Sequence, residues 1–147
     1  MIVSFCGHAN TTLTNEELTA LHKTLKSLLE TTPNCIFYLG GYGNFDNICR
    51  KMLKKLKFTY QQIKIIFVTP YITNNYYKLK TAKDYYDETI YPPIETTPLK
   101  HAISKRNKWM IENSDLVIFY VEHNYGGAYT MTKYAKKLNK KAINLFS

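Results

Sequence analysis

Short apolar runs that end at glycine turns and lead into helical stretches are the feature that most constrains this fold. The apolar run 116–121 is followed by a polar turn, by Gly126-Gly127 and then by apolar residues at helical spacing. Two earlier runs, 1–6 and 35–39, also end at glycines. Because short unbroken apolar runs are typical of strands buried on both faces, the pattern predicts an α/β fold with a mainly parallel sheet.

The chain has six glycines, and all six lie in the turns that follow these three runs. Glycine is needed where the backbone takes a positive φ or comes close to a ligand. A strand, a glycine turn and a helix in that order place unpaired amides and a positive helix end at the carboxyl edge of the sheet. We therefore expect a phosphate or another anion to bind there. The residues concerned are Gly7, Gly40, Gly41, Gly43, Gly126, Gly127 and Ala128.

Five strands alternate with helices along the chain, which predicts a three-layer, Rossmann-like sandwich. A capping box at residues 14–17 begins the first helix. Right-handed crossovers give the strand order 3-2-1-4-5, which changes direction between strands one and four. The glycine turns should then converge on one cleft. The predicted strands are residues 1–6, 35–39, 63–69, 116–121 and 142–146.

At 147 residues the chain is predicted to form one domain over residues 1–147. Residues 71–97 form a tyrosine-rich loop insertion, with Tyr76 and Tyr77 among its tyrosines. An insertion of this length in a compact domain is usually functional or mobile. Its tyrosines either stack on a base or cover the core, and the sequence leaves both interpretations open.

Composition gives weaker indications of the partner and the compartment. The net charge of +9 fits either nucleic acid as a partner or a solvated lysine surface. No apolar run approaches the roughly 18 residues of a membrane span, so we expect no membrane contact and a cytoplasmic location. The three cysteines have no metal-ligand spacing and predict reduced, structural thiols; no metal and no cofactor are expected.

Arg106 is the most informative charged residue, because a helical wheel places it amid apolar side chains. A buried arginine should find a carboxylate or an anionic ligand, since an unpaired buried charge costs several kcal/mol. It either pairs with an acid such as Glu95, or extends to solvent, or faces a ligand together with Asn107.

Four further residues follow strands at the predicted cleft. Asp46 lies in the first turn of helix two, where it either caps the helix, bonds a ribose hydroxyl or acts as an acid or base. Asn44 is a candidate for sugar contacts. His8 and His123 either bind a ligand or transfer a proton, or they are only polar surface.

Several of these residues together resemble the motifs of the SLOG superfamily, the Rossmann-like group named for the Smf/DprA and LOG proteins. The chain is most similar to its small bacterial or phage members, and the resemblance implies a pocket for a nucleotide or a nucleotide-derived ligand. The matching segments are residues 5–8, 40–46, 105–110, 114–115 and 126–128.

The phosphoribohydrolases of this superfamily carry an Arg-Lys-x-x-Met helix, which Arg106 and Met110 match, while Asn107 replaces the lysine. A Pro-Gly-Gly-x-Gly-Thr-x-x-Glu motif follows in those enzymes.

The second motif is only partly present. Gly126, Gly127 and Thr130 match it, Tyr129 replaces its third glycine, and Lys133 stands where the catalytic glutamate belongs. Because lysine reverses that charge, the resemblance supports binding better than hydrolysis.

The leading hypothesis is therefore binding of a nucleotide or nucleotide-derived small molecule at the carboxyl edge of the sheet. The amides of residues 40–43 and 126–128 would hold the phosphate, assisted by Thr130, and Arg106 would supply a fixed charge. One alternative is hydrolysis or transfer at the N-glycosidic bond of a nucleotide, with Asp46 or Glu95 as the catalytic group. A nucleic-acid-binding module is a further alternative, and analogy with the family suggests a homodimer.

Overall fold

The computed structural model describes residues 1–71 and 85–146. Within them, a 3-10 helix, Leu99–His101, directly precedes the third of the α-helices. The α-helices are α1 (Asn15–Thr31), α2 (Asn44–Leu56), α3 (Ala102–Glu112) and α4 (Gly127–Lys137). The strands are β1 (Ile2–Gly7), β2 (Ile36–Leu39), β3 (Lys64–Val68), β4 (Glu88–Ile90), β5 (Leu116–Tyr120) and β6 (Lys141–Asn144).

The described strands form one sheet in the order β4-β3-β2-β1-β5-β6, and every neighbouring pair is parallel. The α/β class and the relative order of the five predicted strands are confirmed. The number of strands is wrong, because β4 adds a sixth at the β3 edge.

Strand β4 lies inside the segment that the sequence predicts as a loop insertion. It has three residues, of which Glu88 is exposed, so no apolar run marks it. Backbone pairing holds it in place instead: Ile66 is opposite Glu88, and the Thr69 amide donates to the carbonyl oxygen of Ile90 at 2.9 Å. Residues 72–84 of the predicted insertion, with Tyr76 and Tyr77, lie outside the described residues.

Alternating side chains of the strands pack against helices on both faces of the sheet. On one face, Phe5, Phe37 and Ile118 contribute to the cluster that also contains the buried leucines of α1 and α2. On the other face, Val117 and Phe119 pack with Met131 and Ala135 of α4. A third cluster joins Tyr38 and Val68 to Met110 of α3. The sheet is therefore the middle of three layers.

Helix α1 begins with the predicted capping box, which is confirmed. The Thr14 hydroxyl accepts from the Glu17 amide at 3.1 Å, and the Glu17 carboxylate accepts from the Thr14 amide at 2.9 Å. Glu17 is buried, and it also accepts a hydrogen bond of 2.9 Å from the Tyr120 hydroxyl at the end of β5. This carboxylate therefore fixes the start of α1 to the sheet.

None of the helices within the described residues has the length and apolar character that crossing a bilayer requires.

Candidate functional site

The carboxyl ends of β1 and β2 meet Arg106 and Asp46 in a crevice that is almost filled by protein. Its remaining cavity measures about 50 Å³. A pocket for a small ligand usually has about 300–1,000 Å³, so this space accommodates water rather than a nucleotide. The residues that line it are Phe5, Cys6, Gly7, Gly40, Tyr42, Asp46, Ile103, Arg106 and Asn107.

Arg106 is buried at the ends of β2 and β3, with 2% of its surface exposed. Its Nη1 donates hydrogen bonds to the carbonyl oxygens of Gly40, at 2.7 Å, and Val68, at 2.8 Å. Its Nε donates to Oδ1 of Asn107 at 2.8 Å. Carbonyls at strand ends need partners from outside the sheet ladder, and the guanidinium supplies several donors in fixed directions. The sequence predicted a carboxylate or an anionic ligand as the partner of Arg106. Backbone carbonyl oxygens are a third kind of partner, which it did not predict.

Asp46 faces the same crevice from the first turn of α2 and is 7% exposed. Burial raises the pKa of its carboxyl to about 6, while the Arg106 guanidinium and the amides of Tyr42, Gly40 and Gly41 act to lower that pKa. The Tyr42 amide donates to Oδ2 of Asp46 at 3.4 Å. The Asp46 carboxylate therefore organises the glycine turn after β2. Burial also raises the pKa of the neighbouring Cys6 thiol, to about 12.

Four of the six predicted glycines lie against this packed region. A Cβ added at any of them would come within 2.8 Å of a protein atom. The atoms that it would meet belong to Phe45 at Gly7, to Arg106 at Gly40, to Phe67 at Gly41 and to Ala9 at Gly43. These positions are thus required by close packing inside the protein.

The first turn of α4 is different, because it faces open space. Gly126 has φ 91°, and no atom lies within 4 Å of a Cβ built at Gly126 or Gly127. The amides of Gly127, Ala128 and Tyr129 have no hydrogen-bond partner in the described part of the chain. The Thr130 amide and hydroxyl both donate to the Gly126 carbonyl oxygen at 3.0 Å, so this hydroxyl closes the turn.

A stack of rings lies beside this turn, where β1 and β5 end. The ring centroids of His8 and His123 are 4.7 Å apart, and those of His123 and Tyr125 are 4.9 Å apart with an angle of 11° between planes. The His123 amide donates to Nε2 of His8 at 3.4 Å, which requires that nitrogen to be unprotonated. The pKa of His8 is lowered, mainly by burial. The neighbouring His123 lowers it further, whereas Glu122 acts to raise it. The two predicted histidines are therefore neighbours.

A groove of about 530 Å³ lies between α4, the end of β5 and strand β6. The sequence did not predict it. Tyr129, Thr132 and Lys136 follow one another at helical spacing beside the buried stripe of α4, and that spacing was the available signal. The residues that line the groove are Phe119, Val121, Glu122, His123, Asn124, Tyr129, Thr132, Lys136, Lys140, Ala142 and Asn144.

The remaining predicted residues lie apart from this groove. Glu95 is exposed in the segment before α3, and Asn44 is exposed at the start of α2, where its amide donates to the Ala9 carbonyl oxygen at 2.9 Å. Lys133 is exposed on α4, with its Nζ 5.0 Å from the centre of the Tyr129 ring. The structure thus brings Gly7, Gly40, Asp46 and Arg106 together, and separately His8 with the turn before α4.

Comparison with known families decides the relationship. The profile of the YpsA family, described as the YspA SLOG family, matches residues 17–146. The chain belongs to the YpsA SLOG family. The predicted resemblance to SLOG proteins is confirmed, and no curated protein sequence matches this SLOG chain.

Solved structures share the fold of this SLOG protein. DNA processing protein A from Helicobacter pylori, described for its single-stranded DNA binding mode, is 20% identical with a TM-score of 0.62, covering 97% of this chain and 63% of its own. DNA processing protein A from Streptococcus pneumoniae is 16% identical with a TM-score of 0.62 over 95% and 48% of the two chains. The molybdenum cofactor binding protein from Rippkaea orientalis is 17% identical with a TM-score of 0.61 over 97% and 74%.

These identities establish a common fold and nothing more specific. This SLOG chain spans 63% and 48% of the length of the two DNA processing proteins. The cytoplasmic location and the homodimer stay predictions.

Proposed function

We propose that this protein binds a nucleotide or nucleotide-derived small molecule through its phosphate at the amino end of α4. The observation that carries the proposal is the open first turn of this helix, which lies in the chain between Asn124 and Tyr129, two residues that line the 530 Å³ groove. The amides of Gly127, Ala128 and Tyr129 hold the phosphate, since unpaired amides and the helix dipole both favour a negative charge.

The first turn of α4 contains no acidic residue that would repel a phosphate, but one carboxylate lines the groove. Lys133 lies in the middle of α4, and Lys136 lies in its last turn, where it lines the groove. Glu122 lines the groove and is 3.9 Å from His123 Nε2. A bound phosphate therefore lies on the α4 side of the groove, away from Glu122, because like charges at short distance repel.

The groove and the ring stack supply space for the rest of the ligand. A volume of about 530 Å³ is in the usual range for small-molecule sites, unlike the 50 Å³ beside Arg106. Tyr129 and the exposed Tyr125 offer aromatic surfaces on which a base stacks. Arg106 does not touch the phosphate. Its hydrogen bonds hold the ends of β2 and β3 in place at the carboxyl edge of the sheet.

Binding has better support than glycosidic cleavage in this arrangement. Of the two predicted catalytic carboxylates, Asp46 is buried against the amides of its own turn, and Glu95 is exposed outside the groove. Lys133 stands where the hydrolase motif has its glutamate, so the charge at that position is reversed. Two of the similar structures are described as binding single-stranded DNA and the molybdenum cofactor, which supports ligand binding on this fold.

The test places a carboxylate at the phosphate position. In Gly127→Asp, the new side chain enters open space and the helix dipole stabilises the carboxylate, so the protein folds but repels phosphate. Gly127→Asn is the matched control, since it has the same shape without the charge. Isothermal titration with nucleoside monophosphates and diphosphates should give at least tenfold weaker binding for the aspartate variant than for the asparagine variant.

Three outcomes contradict the proposal. The wild type binds no nucleotide, or the two variants bind equally well, or the matching nucleosides bind as tightly as the nucleotides. An affinity for single-stranded DNA that falls steeply with salt, without any nucleotide binding, would instead support the nucleic-acid alternative.

A further inference from the structure

A side-chain contact between two histidines joins the turn after β1 to the loop 122–125, which leads from β5 into α4. The His123 amide donates to Nε2 of His8 at 3.4 Å, and the two ring centroids are 4.7 Å apart with an angle of 40° between planes. The His8 amide in turn donates to the carbonyl oxygen of Tyr120, the last residue of β5, also at 3.4 Å. The loop is therefore attached to the turn after β1 by the backbone at its root and by the His8 imidazole in its middle.

The bond to His8 fixes the middle of this loop. Within residues 1–71 and 85–146, the His123 amide is the one backbone amide of the loop that donates a hydrogen bond. All four side chains of the loop are exposed. The Tyr125 ring stacks on His123, so this contact lies inside the loop and does not tie it to the sheet. Loss of the His8 bond would therefore leave residues 122–125 without a hydrogen bond to the rest of the described chain.

The bond requires a neutral His8. An imidazole nitrogen that accepts a hydrogen bond carries no proton, whereas an imidazolium has a proton on both nitrogens and can only donate. The pKa of His8 lies below its ordinary value of 6.5, mainly because of burial. The titratable groups that act on His8 among the described residues are His123, which lowers this pKa further, and Glu122, which acts to raise it. Protonation at mildly acidic pH therefore removes the acceptor and places a positive charge beside His123.

We propose that His8 is a proton-controlled latch, whose neutral imidazole holds the loop 122–125 and whose protonation releases it and weakens phosphate binding at the first turn of α4. The inference rests on the function proposed above. The loop continues directly into Gly126, which precedes the helix with φ 91°, so a displaced loop changes where the amides of residues 127–129 point. His8 is a positioning residue, since it acts through the loop and does not touch the phosphate. A ligand that binds only the latched form loses apparent affinity in proportion to the latched fraction.

The latch is tested first without any ligand, by following the His123 amide and the His8 ring with NMR between about pH 8 and about pH 5. The His123 amide proton should move upfield as the pH falls, with the same midpoint as the His8 imidazole, because it loses its hydrogen bond. In His8→Gln, a carboxamide oxygen replaces Nε2 as the acceptor and does not titrate. The shift with the His8 midpoint should then be absent, and only the effect of the His123 ring itself should remain.

The effect on binding is measured as a ratio of two affinities, because the phosphate of a nucleotide titrates in the same range of pH. The probe is adenosine monophosphate or uridine monophosphate, whichever the wild type binds more tightly. Isothermal titration gives the association constant of the wild type divided by that of His8→Gln, and the ionisation of the ligand cancels in this ratio. The ratio should fall at least about threefold from about pH 8 to about pH 5. His22→Gln is the matched control, since it removes an exposed imidazole on α1 and should follow the wild type at every pH.

The outcomes separate the latch from the proposed function. A His123 amide that does not follow the His8 midpoint would overturn the latch and leave nucleotide binding at α4 intact, and so would an affinity ratio that stays constant or rises as the pH falls. His8→Phe keeps a ring without an acceptor and should bind weakly even at about pH 8, so binding as tight as that of His8→Gln would also overturn the latch. If the amide titrates as expected but neither monophosphate binds at any pH, the proposed function fails, and its regulation fails with it.

Discussion

Asp46 makes the stability of the protein depend on pH in a direction that is unusual for a carboxylate. Burial raises its pKa to about 6 from the ordinary value of 3.8, although Arg106 and three backbone amides oppose that rise. The folded protein therefore binds this proton more tightly than the unfolded chain does. By linkage, the contribution of Asp46 to stability is fully present below about pH 4 and is lost as the pH rises through about 6.

The magnitude follows from the size of the shift. A difference of about two pKa units corresponds to about 3 kcal/mol, since one unit is about 1.4 kcal/mol. Asp46→Asn removes the titration while keeping a similar shape. The free energy of unfolding of the wild type, minus that of Asp46→Asn, should thus fall by about 3 kcal/mol between about pH 4 and about pH 8.

Urea denaturation of both proteins across this range measures the difference. The carboxamide of Asp46→Asn has fewer acceptors for the amides of the turn, which changes the free energy of unfolding by an amount that does not depend on pH. The test is therefore how the difference in stability between the two proteins changes with pH. Glu95→Gln is the control, because Glu95 is an exposed loop carboxylate and its replacement should change stability by less than about 0.5 kcal/mol. A difference between wild type and Asp46→Asn that stays constant with pH, or that rises with it, would refute the reasoning.

Four substitutions test other contacts, each by urea denaturation. Arg106→Leu should cost about 3–5 kcal/mol because it leaves two buried carbonyls unpaired, and a cost under about 1 kcal/mol would contradict the assigned bonds. Gly40→Ala should lower the free energy of unfolding by about 1–3 kcal/mol, since its Cβ would lie 2.8 Å from Arg106 Cζ. The Cβ of Gly127→Ala enters open space, so this variant should not be destabilised. Equal effects of the two substitutions would show that the packing difference is wrong. Tyr120→Phe removes a hydrogen bond from the buried Glu17 and should cost about 1–3 kcal/mol, so a neutral result would argue against that bond.

The candidate site was only partly visible in the sequence. The sequence placed the glycine turns at the carboxyl edge of the sheet, and the structure has them there, since each turn follows a parallel strand. Binding of a ligand at this edge stays a prediction. The sequence could not say which turns stay open. Gly40 and Gly41 are covered by Arg106 and Phe67, residues that lie far along the chain, while nothing covers Gly126 and Gly127.

The sequence by itself determined the strands with apolar runs, their parallel order and the cap of α1. These depend on local spacing and on the general handedness of crossovers, both of which can be counted along the chain. Only the tertiary structure decided that β4 joins the sheet, since its three residues are held by backbone pairing with β3 rather than by an apolar pattern. It also decided that Arg106 binds carbonyl oxygens and that the larger groove lies beside α4. A periodic pattern shows which face of a helix is buried, but the partner on that face depends on distances between segments remote in sequence.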